Sequence, residues 1–596
     1  MDKKNGISPL NALRKRMEKE NIALFICNNS DPYMSEYPAA HWKVRQWLSG
    51  FTGSNGLLMV ESEKAALWSD SRYVLQAAFE LDEEILFFNE SLPASLTPFR
   101  WIESLQLPTG SRIALDGRCF SVHYADKWRD FCCQRNYSLE LSWHPADELW
   151  VERPPIEFNT VYLLPGEYTG ASVSEKLASV RRQLREKQSD LLLVTTLDEV
   201  AWLFNLRGTD MACSPLAYGC AYVEAEGDTF LFIETSKATS ELLEYLHNEG
   251  VVMANFDKWE ERLALIGTHY SVWIDPAKCN AYYSSLLRTE NRVYEPSPVE
   301  SLKSIKNPVE IEGESKVMVY DGVALCRLFR WVEKMLGERN PLRETDIAAK
   351  IAEIRSEHPA YLCESFDAIV AYGANGAIVH YFPQKGKDAE PETNSLLLVD
   401  TGTHYKHGTT DITRTIALGV PTAEMRRNFT LVLKGHIALA TAIFPEGTRG
   451  TQLDVLARQF LWKEGTGYLH GTGHGIGYAL NVHEGPQGIR MQENPTTLQP
   501  GMLLSNEPGY YKEGHYGIRC ENILLVKEHN TTDFARFFCF ETLSLYPFDH
   551  KLIDKQLLTS AETEWINSYH QQVYEKLSPL LKPEEREWLL AKVKPL

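Results

Sequence analysis

The chain has 596 residues, 44% of them hydrophobic and 24% charged, too long for one core and ordinary for a globular protein of roughly three or four domains. Its net charge of −19, without a basic stripe, disfavours nucleic acid or an anionic membrane as partner, because phosphate binding needs clustered Lys and Arg. No apolar run reaches the ~18 residues of a membrane helix. The start Met1-Asp2-Lys3-Lys4-Asn5-Gly6 leads into a charged amphipathic segment, not the apolar core of a secretory signal. Eleven cysteines without a C-x-x-C pair read as free thiols of a reducing compartment, so a cytoplasmic location is expected.

Residues 8–20 place Leu10, Leu13 and Met17 on one face of a helix, and Ile22-Ala23-Leu24-Phe25-Ile26-Cys27 follows as a buried strand. Asp31-Pro32, the string Trp47-Leu48-Ser49-Gly50-Phe51-Thr52-Gly53-Ser54 and two short strands ending at Trp68-Ser69-Asp70 come next. Residues 173–186 begin the same succession again. A helix is followed by the strand Asp190-Leu191-Leu192-Leu193-Val194, then Leu197 to Leu203, Arg207-Gly208, and strands near 220 and 230. The repetition reads as an internal duplication of one α/β unit. Proline-rich seams at Arg153-Pro154-Pro155 and Glu295-Pro296-Ser297-Pro298 place domains at 1–153, 154–300 and 301–596. The first two carry no metal-like constellation; Asp70-Ser71-Arg72-Tyr73 could be a site, but surface ion pairing is the commoner explanation.

The third domain opens with a long helix over 309–336, and Thr345-Asp346 is expected to cap another near 346–357. A β-rich stretch over 366–382, broken by Gly373 and Gly376, delivers His380. Helices follow at about 423–443 and 452–463. Beyond 541, a helical extension begins with the capping box Thr559-x-x-Glu562 and carries Ile566, Tyr569, Val573 and Leu577 as a core-facing stripe. Helix, helix, strands, helix, helix, strands describes an α+β half-structure used twice, each half contributing one carboxylate hairpin.

Those hairpins carry the chemistry. Leu396-Leu397-Leu398-Val399-Asp400 and Thr409-Thr410-Asp411-Ile412-Thr413-Arg414-Thr415 read as two strands around the turn Lys406-His407-Gly408. A turn centred between Tyr405 and Lys406 would set Asp400 directly opposite Asp411, with Cβ atoms about 4.5–5.5 Å apart. Glu507, in Ser505-Asn506-Glu507-Pro508-Gly509, and Glu521, in Gly517-Ile518-Arg519-Cys520-Glu521-Asn522, are equidistant from Gly514 and repeat the device. Like charges so opposed destabilise a sheet unless a cation lies between them. Solvated strand-end charges would explain one such pair, but poorly explain two with apolar flanks.

Between the hairpins lies His470-Gly471-Thr472-Gly473-His474-Gly475-Ile476-Gly477, continuing to Asn481-Val482-His483-Glu484. Its glycines argue against the helical two-histidine zinc motif and for a loop or strand that lets backbone approach closely. One imidazole with four carboxylates suits two divalent ions. Ligand softness favours Mn2+ or Co2+, with Zn2+ tolerated, over a thiolate-type zinc site. Cys520 adjoins Glu521 but faces the other way along a strand, into the core. His404, His407 and His515 sit in turns and are expected to be solvated. Arg414 and Arg519 could pair with strand-end acids; beside a ligand, Arg519 more plausibly orients Glu521 or a neighbour.

The order Asp, Asp eleven residues on, His in H-G-T-G-H-G, Glu in N-E-P-G and Glu in G-I-R-C-E-N resembles the pita-bread metallopeptidases, within them the three-domain Xaa-Pro aminopeptidases of the cytosolic type. The strings Gly408-Thr409-Thr410-Asp411-Ile412-Thr413-Arg414-Thr415 and Asn481-Val482-His483-Glu484-Gly485-Pro486 are especially specific, and the match covers essentially the whole chain. The resemblance implies two duplicated creatinase-like α/β domains followed by a pita-bread catalytic domain. It also implies metal ligands at Asp400, Asp411, His474, Glu507 and Glu521, with Glu507 doubling as general base. His380, His470, His483 and Arg519 match the substrate-side residues, with His380 and His483 in catalytic positions. The N-terminal domains would serve assembly, with a homodimer expected, and would narrow access to the site.

The reaction so implied is attack of a metal-bridging hydroxide on the bond before proline, releasing the N-terminal residue of an Xaa-Pro peptide. Proline's amide lacks the N–H that ordinary peptidase sites bind, so a pocket shaped for the ring is needed, and His470 is a candidate wall of it. Two alternatives compete. A prolidase would use the same metals on dipeptides alone, though the duplicated unit weighs against it. A metal-free pita-bread binding protein would have lost ligands, and all five positions here keep theirs.

Overall fold

The structure, a computed structural model, describes residues 8–70, 73–92 and 94–596. The Met1-to-Gly6 start lies outside the described residues, as do Ser71 and Arg72 of the Asp70–Tyr73 string. The chain divides into two compact units. One holds the described residues up to Leu163 with Ser172–Ala212 and Leu216–Val299; the other holds Leu164–Ala171, Cys213–Pro215 and Glu300–Leu596.

The first unit contains the duplication. Helix α1 (Pro9–Glu20) buries Leu10, Leu13 and Met17 and is capped by Ser8, whose hydroxyl accepts the Asn11 N–H. Strands β1 (Leu24–Cys27), β2 (Leu57–Val60), β3 (Ala65–Ser69), β4 (Ile85–Asn89), β5 (Arg112–Leu115) and β6 (Ser138–Glu140) form a six-stranded sheet in the order β4-β3-β2-β1-β5-β6. After α2 (Val173–Glu186), strands β7 (Leu191–Val194), β8 (Gly219–Glu224), β9 (Thr229–Ile233), β10 (Val251–Asn255), β11 (Val272–Ile274) and β12 (Arg292–Tyr294) give the order β10-β9-β8-β7-β11-β12. The directions also repeat. β1 is antiparallel to β2 and parallel to β5, as β7 is antiparallel to β8 and parallel to β11. Every residue of β1 and β7 is buried, as continuous apolar runs in sheets covered on both faces require.

The second unit begins its long helix α3 (Pro308–Gly337) with a capping box: Asn307 Oδ1 accepts the Val309 and Glu310 N–H groups, and Glu310 accepts the Asn307 N–H. Helix α4 (Glu344–Ser356) starts earlier than the expected Thr345-Asp346 cap. Asp346 is its third residue and reaches back to the Arg343 N–H at 2.9 Å, while the Thr345 hydroxyl is spent on Asp388. Glu344 sets that start. Fully buried, it accepts bonds from Tyr372 N, Asn375 Nδ2, Tyr381 Oη and Ala389 N.

Strands β13 (Tyr361–Glu364), β14 (Ile369–Tyr372), β15 (Asn394–Thr401), β16 (Thr403–Tyr405), β17 (Gly408–Thr409) and β18 (Ile412–Gly419) form two three-stranded sheets, β13-β16-β17 and β14-β15-β18. Helices α5 (Ala423–Ala440) and α6 (Gly450–Trp462) flank β19 (Ile443–Pro445). Then come β20 (Gly473–Gly475), β21 (Glu484–Ile489), β22 (Leu503–Asn506), β23 (Gly509–Lys512), β24 (Tyr516–Arg519), β25 (Asn522–Thr531) and β26 (Arg536–Thr542). Six of these strands join as β19-β26-β25-β22-β20-β21, and β23 pairs with β24. Helix α7 (Ser560–Leu577) closes the core, burying Ile566, Tyr569, Val573 and Leu577 as its spacing predicts.

A short 3-10 segment, Gly373–Ala377, crosses β24 so closely that a Cβ on Gly517 would stand 1.7 Å from Gly376 O. The turn bearing His380 follows directly. Gly517→Ala must therefore push this crossing apart, an overpacking cost of about 1–3 kcal/mol, and should lower the thermal midpoint. An unchanged midpoint would contradict the contact.

Candidate metal centre

The aspartate hairpin differs from its expected register. Asp400 pairs with Thr413, and His404 with Thr409, so the turn is centred between Lys406 and His407, one position later than expected. The reason is Gly408, which belongs to the strand instead of the turn. Its φ is +149°, and a Cβ there would meet Glu314 Oε2 at 2.1 Å. Asp411 is thus a diagonal neighbour of Asp400 on the same face, not its opposite. Diagonal pairs stand about 7–8 Å apart, still within carboxylate reach.

The glutamate hairpin follows the expected geometry. Asn506 pairs with Asn522 on one side and Gly509 with Arg519 on the other, a continuous register that sets Glu507 opposite Glu521. Gly514, at φ +70°, makes the turn.

His474 stands in β20, whose approach to β22 leaves no room for a side chain at Gly473: a Cβ there would lie 1.9 Å from Ser505 O. Its Nδ1 faces Gly475 O at 2.9 Å, so the tautomer with Nδ1–H donating leaves the Nε2 lone pair to the site. That nitrogen lies 3.4 Å from Asp411 Oδ2 and 3.6 Å from Glu507 Oε1. Ligand atoms of Asp411, His474 and Glu521 fall within 4.8 Å of one another.

Arg519 ties in the remaining carboxylate. Its Nη2 pairs with Asp400 Oδ2, its Nε donates to Thr413 Oγ1 at 3.1 Å, and its Nη1 to the Tyr511 hydroxyl at 2.7 Å. Thr413 in turn donates to Glu521 Oε2 at 2.6 Å. The other oxygen, Asp400 Oδ1, is buried and accepts no hydrogen bond. A buried lone carboxylate oxygen amid other carboxylates is what a divalent cation satisfies, so the donor set fits metal.

Electrostatics point the same way. Burial, followed by the charge of Asp400, holds the Asp411 carboxyl well above the usual range. Burial and then Asp411, Glu507 and Asp400 do the same for Glu521. Burial lifts Glu507 to about 7.

On the substrate side, His470 Nε2 lies 2.8 Å from the Tyr511 hydroxyl, which links it to Arg519. The His483 ring stands edge-on to His474 with centroids 4.2 Å apart. His380 occupies the half-buried turn after Gly373–Ala377, braced by the Tyr381–Glu344 bond of 2.7 Å.

Two histidines expected in solvated turns are enclosed instead, although His407 keeps its place in the turn. His404 lies in β16, fully buried, bonded to Thr409 Oγ1 at 2.9 Å and Cys213 O at 3.1 Å. His407 is half-buried between the rings of Tyr168 and Tyr320. His515 is exposed and Cys520 buried, both as expected. Arg414 holds main chain, bonding Thr413 O and Glu521 O. Tyr511 and Glu344 lie outside the motifs, and Thr413 and Ser505 lie inside them without an assigned role. Alternation could have found Thr413, two residues from Asp411 on one strand face.

The raised carboxyls make a pH prediction. Without cations the folded chain favours protonated Glu507, so its contribution to stability is full below pH 4.5 and lost as pH rises through about 7. Cation binding needs the carboxylates and strengthens over the same window. The gap in thermal midpoint between cation-loaded and chelated protein should therefore widen by about 3 °C or more from pH 5 to pH 7.5. A constant or narrowing gap would contradict the assignment.

Comparison with known proteins identifies the family. Residues 315–528 match metallopeptidase family M24, 536–596 its C-terminal region, and 9–139 and 152–310 each a creatinase/prolidase N-terminal domain. Aminopeptidase P2 of Arabidopsis thaliana is 36% identical over 98% of this chain and 88% of its own. A probable Xaa-Pro aminopeptidase P of Tuber melanosporum is 38% identical over 97% of this chain and 96% of its own. Among solved structures, X-prolyl aminopeptidase from Caenorhabditis elegans, a cytosolic enzyme with a di-nuclear active site, superposes with a TM-score of 0.93 at 33% identity over 99% of both chains. The Xaa-Pro dipeptidase of Bacillus anthracis shares the fold alone, with a TM-score of 0.52 and 22% identity over 63% of this chain and 99% of its own. The chain belongs to metallopeptidase family M24, in its aminopeptidase P branch with paired creatinase/prolidase N-terminal domains.

Proposed function

We propose that this chain is an Xaa-Pro aminopeptidase, releasing the N-terminal residue from peptides with proline second. The observation that carries it is the full-length likeness to such enzymes combined with a complete donor set in one buried site. Asp400, Asp411, His474, Glu507 and Glu521 hold two divalent cations, Mn2+ by the oxygen-rich character of the set. When bound, such cations supply Lewis-acid polarisation of the scissile carbonyl and activation of water.

The chain's own residues do the rest. Glu507 is placed to take a proton from water at the site, and the Ser505 hydroxyl at 3.3 Å steadies the accepting carboxylate. His380 and His483 donate hydrogen bonds to the substrate carbonyl and leaving nitrogen. His470 walls the proline pocket, with the Tyr511 hydroxyl at 2.8 Å fixing its ring. Arg519 neutralises Asp400 and aligns Tyr511 and Thr413, so it shapes the site without needing to meet the substrate carboxylate. That leaves the chain beyond proline unclamped, as an aminopeptidase requires.

Three further readings belong here. The division at 153/154 and 300/301 is supported by the two equivalent sheets. A homodimer is supported by an apolar outer face of α6, where Val455 and Trp462 are 45% and 49% exposed, followed by Leu469 at 73%. A cytoplasmic setting is supported by eleven free cysteines.

Xaa-Pro-Yaa tripeptides and longer oligopeptides should be cleaved after the first residue, with at least tenfold lower kcat/KM when Ala replaces Pro. Acetylation of the substrate amine should abolish turnover. Cleavage of dipeptides alone would move the assignment to prolidase. His474→Ala should lose cation and turnover together, whereas His380→Ala should lose turnover and keep cation; the reverse pattern would exchange their roles.

A further inference from the structure

The two histidines of His470-Gly471-Thr472-Gly473-His474 are held by different devices. His474 belongs to β20, paired with β21 and β22, and its N–H donates to Ser505 Oγ at 3.0 Å. His470 precedes the strand, on a glycine-flanked loop with little conformational preference of its own. Helix α6 holds that loop. Arg458, fully buried, donates Nε–H to Asp454 Oδ2 at 2.5 Å, Nη1–H to Tyr468 O at 2.6 Å and Nη2–H to His470 O at 2.8 Å. Its guanidinium lies 4.0 Å from the centre of the Tyr468 ring. Asp454 Oδ1 accepts from Thr472 Oγ1 at 2.6 Å, and the Tyr468 hydroxyl meets that same Oγ1 at 2.6 Å. Thr472 O then accepts the Glu507 N–H at 2.8 Å.

We propose that Arg458 and Asp454 are positioning residues that aim His470, and through it set the preference for proline over other residues after the scissile bond. This rests on His470 being a wall of the proline pocket. A planar guanidinium offers donors in a rigid fork and can reach Asp454 and two carbonyls together. A lysine ammonium on a flexible stem keeps the charge beside Asp454 but cannot span both carbonyls. The two partners stand four residues apart on one helix face, where side chains meet, so the clamp is rigid at its base. Its grip is on the main chain of His470 itself, and small displacements of a positioned group are costly at a reacting site. The metal ligand His474 is held independently by the sheet, so loosening the clamp should disturb selectivity before cation binding.

The test compares wild type, Arg458→Lys, His470→Ala and the double variant. Each is assayed for kcat/KM on Xaa-Pro-Yaa and Xaa-Ala-Yaa tripeptides, with cation content and thermal midpoint measured on the same preparations. Arg458→Lys should keep its cations while the Pro/Ala ratio falls at least tenfold. Combined with His470→Ala it should lower the ratio no further, because both act through one ring. Equal slowing of the two substrates, or independent effects of the two substitutions, would overturn the proposal. Should Arg458→Lys not fold, Asp454→Asn keeps the shape and removes the charge that anchors the guanidinium; an unchanged Pro/Ala ratio there would overturn it equally. A wild-type enzyme without proline preference would instead overturn the proposed function, and this role with it.

Discussion

Four carboxylates brought face to face in a buried cleft repel one another, and the catalytic unit is built to make that repulsion tolerable. Asp411 and Glu521 are 4% and 2% exposed, so solvent screens them little. Arg519 pairs directly with Asp400, and its single charge cannot balance all four. The strands carrying the acids are pinned from behind by groups that never face the cleft. Arg355, bound to Asp321 and Glu364, donates to Thr401 Oγ1 at 2.7 Å and Gly402 O at 3.1 Å beneath the aspartate hairpin. Arg414 grips Thr413 O and Glu521 O beneath the second. Breaking such a buried pair costs about 3–5 kcal/mol, since the partner charge is left stranded.

Behind the glutamates the pin is neutral. His436 on α5 shares its Nδ1–H between Asn506 O at 3.1 Å and Cys520 O at 3.2 Å, and its Nε2 accepts from Asn522 Nδ2 at 3.1 Å. Burial, with Arg414 adding to it, holds that imidazole down at about 3. It therefore stays neutral while one ring locks the residues immediately before both Glu507 and Glu521. An imidazolium there would set a second donor against Asn522 Nδ2 and add charge beside Arg414. The clamp on His470 fits the same pattern: the ligands lie on paired strands or directly beside them, while His380 and His470 ride on loops held from α4 and α6.

Much of this was legible in the residues. Helices α1 and α7, the duplicated α/β unit and the glutamate hairpin rest on local signals, namely apolar spacing, a capping box and a glycine at a positive-φ turn. The aspartate register was not. Gly408 looks like a turn residue in sequence, yet it serves a close approach to Glu314 across the fold. His404 looks solvated between turn residues and is instead closed over by strands remote in the chain. The helix starts ahead of the Thr345-Asp346 pair because Glu344 is drawn inward by four partners spread over residues 372–389, and Asp346 caps from its third position. Tyr511 and Arg458 carry no motif of their own, and only tertiary proximity gives them roles. Local chemistry survives in sequence; long-range satisfaction of buried polar groups does not.

Anomalous diffraction from crystals of the protein loaded with Mn2+ tests the central claim most directly. Two peaks are expected, both within ligand distance of the carboxylates: one touching His474, the other the buried Asp400 Oδ1. Strong peaks elsewhere, or none between the two hairpins in active protein, would contradict the view that cations resolve the opposition of Asp400, Asp411, Glu507 and Glu521.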